Sequence, residues 1–335
     1  MYAIQDVPGK GKGLIATRYI PKGTRIISET PVMTVGDPVT TRLEEQVASL
    51  TKDQKREFLS MSNIHPFNDY SAQWTGILYT NALPVGSKLE LSGIFFTACR
   101  INHACDYNAA HFWHDDRKQL TVHALQDISR GEEITMSYLE CNWDRNTRQA
   151  ELQKRFHFTC LCHLCSLPLQ RSNESDLRLN RINEIDSIIS DEAGLGLRGM
   201  NESPKQMLHL VEEMIQLWKQ HSHSPNPLGL AHAYQLAFQI TKANGDLARA
   251  RVFADRLVPL RTTFMGKESR LVTRHSRLRH DPTTYAYSGV SMQGVSNYNE
   301  APQTPWGEDL EAWLWMRDVE MDVGANVQNW LDNLS

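Results

Sequence analysis

Residues 100 to 109 read Arg100-Ile-Asn-His-Ala-Cys-Asp-Tyr-Asn-Ala109, and the rest of the chain is organised around them. Asn102 sets an amide beside the imidazole of His103, and Cys105, two residues on, carries a thiol that ligates metal once it loses its proton. The preceding run, Gly93-Ile-Phe-Phe-Thr-Ala-Cys-Arg-Ile101, is apolar enough for a buried strand that delivers Asn102 and His103 at its end. Alone, His103 reads as a core histidine with satisfied nitrogens. Asn102 and Cys105 beside it turn the reading toward function.

Two more stretches lie downstream. Gly131-Glu-Glu-Ile-Thr-Met-Ser-Tyr138 is a turn followed by a strand that ends on a tyrosine, by itself no more than a core aromatic with a hydrogen-bonded hydroxyl. Cys160-Leu-Cys-His-Leu-Cys165 then packs three of the chain's six cysteines into six residues. A closed structural zinc site takes four ligands, so this cluster is one short. His163 inside it is one candidate for the fourth, and a redox pair of Cys162 and Cys165 is the alternative to any metal.

Composition bounds the possibilities. At 335 residues the chain can bury a sizeable core and form two or three domains, and 41% hydrophobic residues is ordinary for a soluble protein. There is no run of 18 apolar residues, and Met1-Tyr-Ala-Ile-Gln-Asp6 lacks the basic-then-apolar pattern of a signal peptide. The expected setting is therefore intracellular, where thiols stay reduced and clustered cysteines point to metal rather than disulfides. A net charge of −4 argues against a general grip on nucleic acid, which needs surplus Lys and Arg.

Along the chain, Gly13 to Ile20 and Thr24 to Val35 read as two strands of a hairpin turning at Pro21-Lys-Gly23. Lys10-Gly-Lys-Gly13 ahead of them lets backbone approach a ligand closely, although such a segment is more often only a turn. Leu43, Val47, Leu50, Phe58 and Leu59 have the spacing of amphipathic helices. Asn81, in Gly76-Ile-Leu-Tyr-Thr-Asn81, reads by residue type as a turn residue. His111 to Leu125 forms strands around Asp115-Asp116-Arg117. From about Asn173 the text is helical: Leu177 to Ile189, Lys205 to His221, Leu228 to Ala243 and Asp246 to Met265 show period-3.6 patterning. Arg270, Arg274 and Arg277 fall on one helix face, which is more simply solvated than partner-bound. Residues 286 to 307 read as a long loop, and Trp306, Trp313, Trp315 and Trp330 as anchors that dock the last helices.

Taken together behind Gly11-Lys12-Gly13, the Asn-His-x-Cys stretch, the Gly-Glu-Glu strand with its tyrosine and the cysteine cluster resemble the SET-domain lysine methyltransferases, in spacing and order rather than by one motif. The closest likeness is SMYD-like, but with no cysteine before Cys99 the zinc-binding MYND finger of that branch is absent. The resemblance implies an α+β fold: a SET β-fold of small sheets with a pseudoknot over residues 1–145, with a helical insert at about 37–75. A zinc-bound post-SET segment at 146–170 and a C-terminal α-helical, TPR-like domain at 171–335 follow. It further implies S-adenosylmethionine held by Lys10, Gly11, Lys12, Asn81, Asn102, His103 and Tyr138, with Phe158 over the adenine. At Asn81 only a loose family likeness of the segment implies the cofactor contact, an equal alternative to the turn residue. Tyr138 would direct its hydroxyl at the methyl-transfer centre. A structural zinc on Cys105, Cys160, Cys162 and Cys165 would hold Phe156 and Phe158 as a lid, leaving Cys99 and Cys141 as thiols without a metal. Ala104 and Tyr107 depart from the serine and proline usual in the family. The implied substrate is the ε-amine of a protein lysine, histone or other, handled by a nuclear or cytoplasmic monomer with no nucleic-acid or membrane partner. A binding module that has lost turnover, and a small-molecule enzyme on the same fold, are the rival readings.

Overall fold

The computed structural model describes residues 1–36, 40–86, 91–139, 142–190, 203–221, 226–279 and 308–317. At its N-terminus, β1 (Tyr2–Val7) and β2 (Gly11–Ala16) form an antiparallel hairpin in register from Tyr2↔Ala16 to Val7↔Gly11. The reversal between them places Gly9 and Gly11 at φ +73, where a Cβ would be strained. The hairpin expected across Pro21-Lys-Gly23 does not form. Both edges of β2 are taken, one by β1 and the other by β10 (Glu133–Met136), so β3 (Arg25–Glu29) leaves for another sheet and pairs with β9 (Gln119–Ala124). A bridge between Ile20 and Ile128 holds that corner.

Three small sheets result. The first runs β1-β2-β10-β7, where β7 (Asn102–His103) lies parallel to β10 with Thr135 opposite Asn102 and Met136 opposite His103. The second runs β3-β9-β8, with β8 (Ala109–His114) and β9 joined by the turn expected at Asp115-Asp116-Arg117, which extends to Lys118. The third is β4 (Met33–Gly36), β6 (Leu91–Ile94) and β5 (Leu83–Val85) in the order β4-β6-β5. Leu14, Ile20, Ile27, Phe95, Ile101, Leu120, Val122, Ile134 and Met136 form one buried cluster among these strands.

Residues 93–101 are not the single buried strand expected. β6 stops at Ile94, and a short 3-10 turn at Ala98–Arg100 precedes Asn102. Ile94 and Phe95 face different clusters, as neighbours on an extended chain do, and the turn at residues 96–100 brings Ile101 back to the cluster of Phe95. The Glu29 carboxylate accepts from the N–H groups of Thr97 (3.1 Å) and Ala98 (3.1 Å), fixing the turn's start.

The insert is helical as expected and runs six residues further, through α1 (Thr40–Ser49), α2 (Lys52–Leu59) and α3 (Tyr70–Asn81). Thr51 and Gln54 make a capping box on α2, and Asp69 caps α3 by accepting from the Ala72 N–H at 2.7 Å. Their apolar faces close on β4 through Leu43, Val47, Phe58, Ile77, Leu78, Met33 and Val35. Further on, α4 (Arg145–Phe156) ends at His157, which adopts φ +59 and reverses the chain toward the cysteine cluster.

The chain divides into two compact units, Met1–Asp176 with Thr262–Ser269, and Leu177–Arg261 with Arg270–Ser335. Four helices cover the periodic segments: α5 (Leu169–Ser190), which begins before Leu177, α6 (Pro204–His221), α7 (Pro227–Ala243) and α8 (Leu247–Met265); α9 (Arg270–Leu278) and α10 (Glu308–Leu314) follow. Gly229 of α7 lies so close to the Trp218 indole of α6 that a Cβ there would sit 2.4 Å from it. Trp313 and Trp315 dock as expected: Arg249 lies over the Trp313 ring at 4.4 Å, and Trp315 packs on Phe253 at 4.9 Å. Arg270, Arg274 and Arg277 are exposed along one side of α9 above buried Val272, His275 and Leu278. Cys141, Trp306, Trp330 and the expected loop at 286–307 lie outside the described residues.

One side chain ties the central loop to β10. Asn108, 4% exposed, donates to Glu133 O and to Glu132 Oε1, both at 2.9 Å, and accepts from the Thr135 N–H at 2.9 Å. Asn108→Ala leaves that N–H and two acceptors without their partner, at a cost on the order of 2–4 kcal/mol. A urea or thermal melt should show the loss directly, and an unchanged midpoint would remove Asn108 from this role.

Candidate active site and metal centre

Cys105 follows β7 directly, and Cys160, Cys162 and Cys165 follow the reversal after α4. Their four Sγ atoms all lie within 4.8 Å of one another, with Cys105 3.4 Å from Cys165 and 3.9 Å from Cys160. A tetrahedral zinc with Zn–S bonds of about 2.3 Å has S–S edges of about 3.8 Å, so the set fits that ion. His163 is not the fourth ligand: its Nδ1 lies 3.4 Å from Asp106 Oδ2, on an exposed side chain outside the sulfur cluster. Asp106 also accepts from the Leu164 N–H at 3.2 Å, joining the two loops a second way.

Packed sulfurs cannot all ionise without a cation. The Cys160 thiol beside it holds the Cys105 proton on, well above the usual thiol range, while Cys105 in turn pushes Cys160 far down. A divalent ion replaces those shared protons. Arg148 of α4, 4% exposed, brings a positive charge to the same place. Burial works against its charge, yet the sulfurs of Cys105 and Cys165 hold its pKa above the ordinary value. Gln149, also on α4, clamps the backbone of Cys160 from both sides, donating to its carbonyl at 2.8 Å and accepting from its N–H at 3.0 Å.

Beside the sulfurs lies an aromatic wall. The Tyr138 ring stands 5.3 Å from His103 and 5.1 Å from Phe156, and Phe158 lies 6.1 Å from His103. The Tyr138 hydroxyl donates to Ile101 O at 2.8 Å. Burial, and after it Cys99 and Glu133, raises the Tyr138 pKa, so the group is a neutral phenol. Along β2, Asn102 Nδ2 donates to Glu133 Oε1 (2.9 Å) and to Lys12 O (3.3 Å), while Lys10 Nζ pairs with Glu133 Oε2 at 2.7 Å. Gly13 makes this possible, because a Cβ there would lie 2.7 Å from Asn102 Nδ2 and 3.0 Å from Glu133 Oε1.

Of the residues singled out from sequence, Lys10, Lys12, Asn102, His103, Tyr138 and Phe158 thus fall in one connected group with the four cysteines, and Gly11 turns the chain beside Lys10. Asn81 sits apart, at the end of α3, where its amide donates to Ser62 O (2.7 Å) and Ile77 O (2.6 Å). Glu133, Asn108, Arg148 and Gln149 were not singled out. Glu133 alone carried a signal, a charged residue opening a strand whose next positions are buried.

The SET domain family matches residues 11–139. Histone-lysine N-methyltransferase set5 of Schizosaccharomyces pombe is 29% identical over 325 residues, 96% of this chain and 96% of that protein. SET domain-containing protein SmydA-8, isoform A, of Drosophila melanogaster is 28% identical over 43% of this chain and 34% of its own length. Protein-lysine N-trimethyltransferase SMYD5 of Gallus gallus is 32% identical over 30% of this chain and 24% of its own. The chain therefore spans nearly the whole fission-yeast protein but only about a third or less of the fly and chicken ones. The solved structure of Rubisco LSMT bound to AdoMet aligns at 12% identity over 100% of this chain and 95% of that one, with a TM-score of 0.33, too low a likeness to argue from.

The purified chain should carry one zinc, lost in Cys160→Ser and in Cys105→Ser. Since the ion contributes folding free energy, both variants should melt earlier, by about 2 to 4 °C for each kcal/mol lost. Native mass spectrometry beside a melt decides it, and a metal that survives loss of Cys105 would overturn the four-sulfur assignment.

Proposed function

We propose that this chain, a SMYD-like member of the SET-domain family, transfers a methyl group from S-adenosylmethionine to the ε-amine of a protein lysine. The observation that carries the reading is the Tyr138 hydroxyl, anchored on Ile101 O inside a wall of His103, Phe156 and Phe158 and directly beside the Asn102–Glu133–Lys10 chain. When bound, S-adenosylmethionine supplies a methyl group on a positively charged sulfur.

The residues present fit such a ligand. Asn102 spends its amide hydrogens on Glu133 and Lys12, so what it offers is the acceptor Oδ1, suited to an ammonium group. The hairpin turn carrying Lys10, Gly11 and Lys12 exposes backbone for the carboxylate end, and Phe158 presents a ring face to an adenine. Asn81, its amide committed to Ser62 O and Ile77 O, is not among the residues grouped here.

Tyr138 orients rather than deprotonates. Its proton is given to Ile101 O, so its oxygen is left to accept from the incoming amine and from the polarised methyl hydrogens. A lysine amine has an ordinary pKa of about 10.4 and attacks only when neutral, a form favoured by an aromatic, water-poor channel near a second cation. Phe156 and Phe158 supply that channel's walls, and alignment of amine and methyl in line accounts for much of the rate. The zinc takes no part in transfer; Cys105, Cys160, Cys162 and Cys165 would use it to hold Phe156 and Phe158 in place.

The activities for which the fission-yeast and chicken relatives are named, on histone lysine and on protein lysine, favour a protein substrate over a metabolite. We take histones to be among the substrates, and the chain to act as a monomer in the nucleus or cytoplasm, without gripping nucleic acid. Among the described residues no helix is long and apolar enough to cross a membrane.

Incubation with methyl-labelled cofactor, histones and a cell extract should yield labelled lysines by mass spectrometry, and labelling of free amines with none on protein would overturn the reading. Tyr138→Phe keeps the ring and loses one hydrogen bond, so it should cost about 1 kcal/mol in stability. Its single-turnover rate should fall roughly a hundredfold. A rate within about threefold of wild type would make Tyr138 a core residue only.

A further inference from the structure

We infer that His103 is a strut between the metal centre and Tyr138, a positioning residue whose two ring nitrogens are both spent inside the protein. The inference rests on the catalytic reading of Tyr138. His103 Nδ1 lies 3.0 Å from the Tyr138 backbone nitrogen, and a backbone N–H can only donate. Nδ1 is therefore the acceptor. The ring proton must then sit on Nε2, which lies 3.2 Å from Cys105 Sγ. His103 is 4% exposed, and its ring is flanked by Tyr138 at 5.3 Å and Phe158 at 6.1 Å, so it has little freedom to turn.

Two consequences follow from this single side chain. A thiolate that binds metal is a strong acceptor for the Nε2–H, so metal loading tightens one end of the strut and the Tyr138 N–H fixes the other. The metal thereby sets the backbone of Tyr138, and with it the hydroxyl held on Ile101 O, by a route separate from the Phe156 and Phe158 lid. Any cofactor reaching His103 meets only its backbone, ring face or carbon edge, since neither nitrogen is left to offer.

Two conservative variants divide the strut. In His103→Asn the amide oxygen stands near the Nδ1 position and can still accept from Tyr138, but nothing reaches Cys105. In His103→Gln the amide nitrogen reaches toward Cys105, and the acceptor for Tyr138 is lost. With cobalt in place of zinc, the sulfur-to-cobalt charge-transfer band should shift in His103→Asn and stay near wild type in His103→Gln. A chelator should strip zinc from His103→Asn about tenfold faster, and kcat of His103→Gln should fall about tenfold with cofactor Kd within about threefold, the scale of one lost hydrogen bond. In the cadmium-loaded wild-type chain, scalar coupling between the Nε2 proton and cadmium across the sulfur should be measurable without any variant.

Identical cobalt spectra and chelation rates in all three proteins, or no proton–cadmium coupling, would overturn the link to the metal. A His103→Gln enzyme as fast as wild type would overturn the link to Tyr138. Equal losses of kcat and cofactor affinity in both variants would make His103 a cofactor ligand instead. Tyr138→Phe at wild-type speed would sink the catalytic reading beneath the proposal, a failure the cobalt and cadmium spectra, which do not depend on turnover, keep distinct from a failure of the bond to sulfur.

Discussion

Placement of β10 between β2 and β7 is the constraint on which the site depends. Its antiparallel edge meets β2, which carries the Lys10-to-Gly13 turn, and its parallel edge meets Asn102 and His103. Strand pairing so brings together three stretches that are far apart in the chain, and it does so with backbone hydrogen bonds that are indifferent to side-chain identity. What makes the placement specific is polar. Asn108 spends its amide on β10 and on Glu132 just before it, and Glu133, at the strand's start, meets both Lys10 and Asn102. A buried amide with all its partners in place is costly to displace, which holds the register of a strand only four residues long.

The cysteines solve a different problem. Residues 157–168 hold little regular structure beyond one 3-10 turn, and their apolar cluster of Leu139, Leu152, Phe156, Phe158 and Trp143 is small. Four thiolates and a zinc would give that segment a closed connection to Cys105, which is 55 residues from Cys160. Such a centre carries net negative charge, and a buried cation beside it reduces the cost of keeping that charge out of water. Arg148 occupies that place, on the same helix that sends Gln149 to the backbone of Cys160. One face of α4 therefore serves the metal centre both sterically and electrostatically.

Two ionisable groups at the aromatic wall are kept neutral. A phenol whose pKa is raised by burial, and whose proton rests on Ile101 O, cannot serve as base near neutral pH. Cys99, buried behind it with its Sγ accepting from the Phe95 N–H, is pushed up to about 12 by burial and is likewise held as a thiol. Glu133 and Lys10 pair with one another beside the wall, and Arg155 lies 5.9 Å from the centre of the Phe156 ring.

Much of this was legible in the residues themselves. Helices α6, α7 and α8 follow from a 3.6-residue apolar repeat, which is local, and the β8–β9 hairpin from alternation around an Asp-Asp turn, local too. Chemical type marked Asn102, His103 and the clustered cysteines, whereas Tyr138 and the fourth sulfur came only from the family resemblance. Pairing of strands was another matter: β2 and β3 are equally strand-like neighbours, and only the prior claims of β1 and β10 on the edges of β2 sent β3 to β9. The run before Asn102 was apolar throughout, and only the return of Ile101 to the cluster of Phe95 broke it into strand and turn. Nor did residue type reveal the partners of Asn108, Arg148, Gln149 and Glu133. A polar side chain in sequence states what it can donate or accept; which group stands 3 Å away is decided by the packing of segments that the chain's order keeps apart.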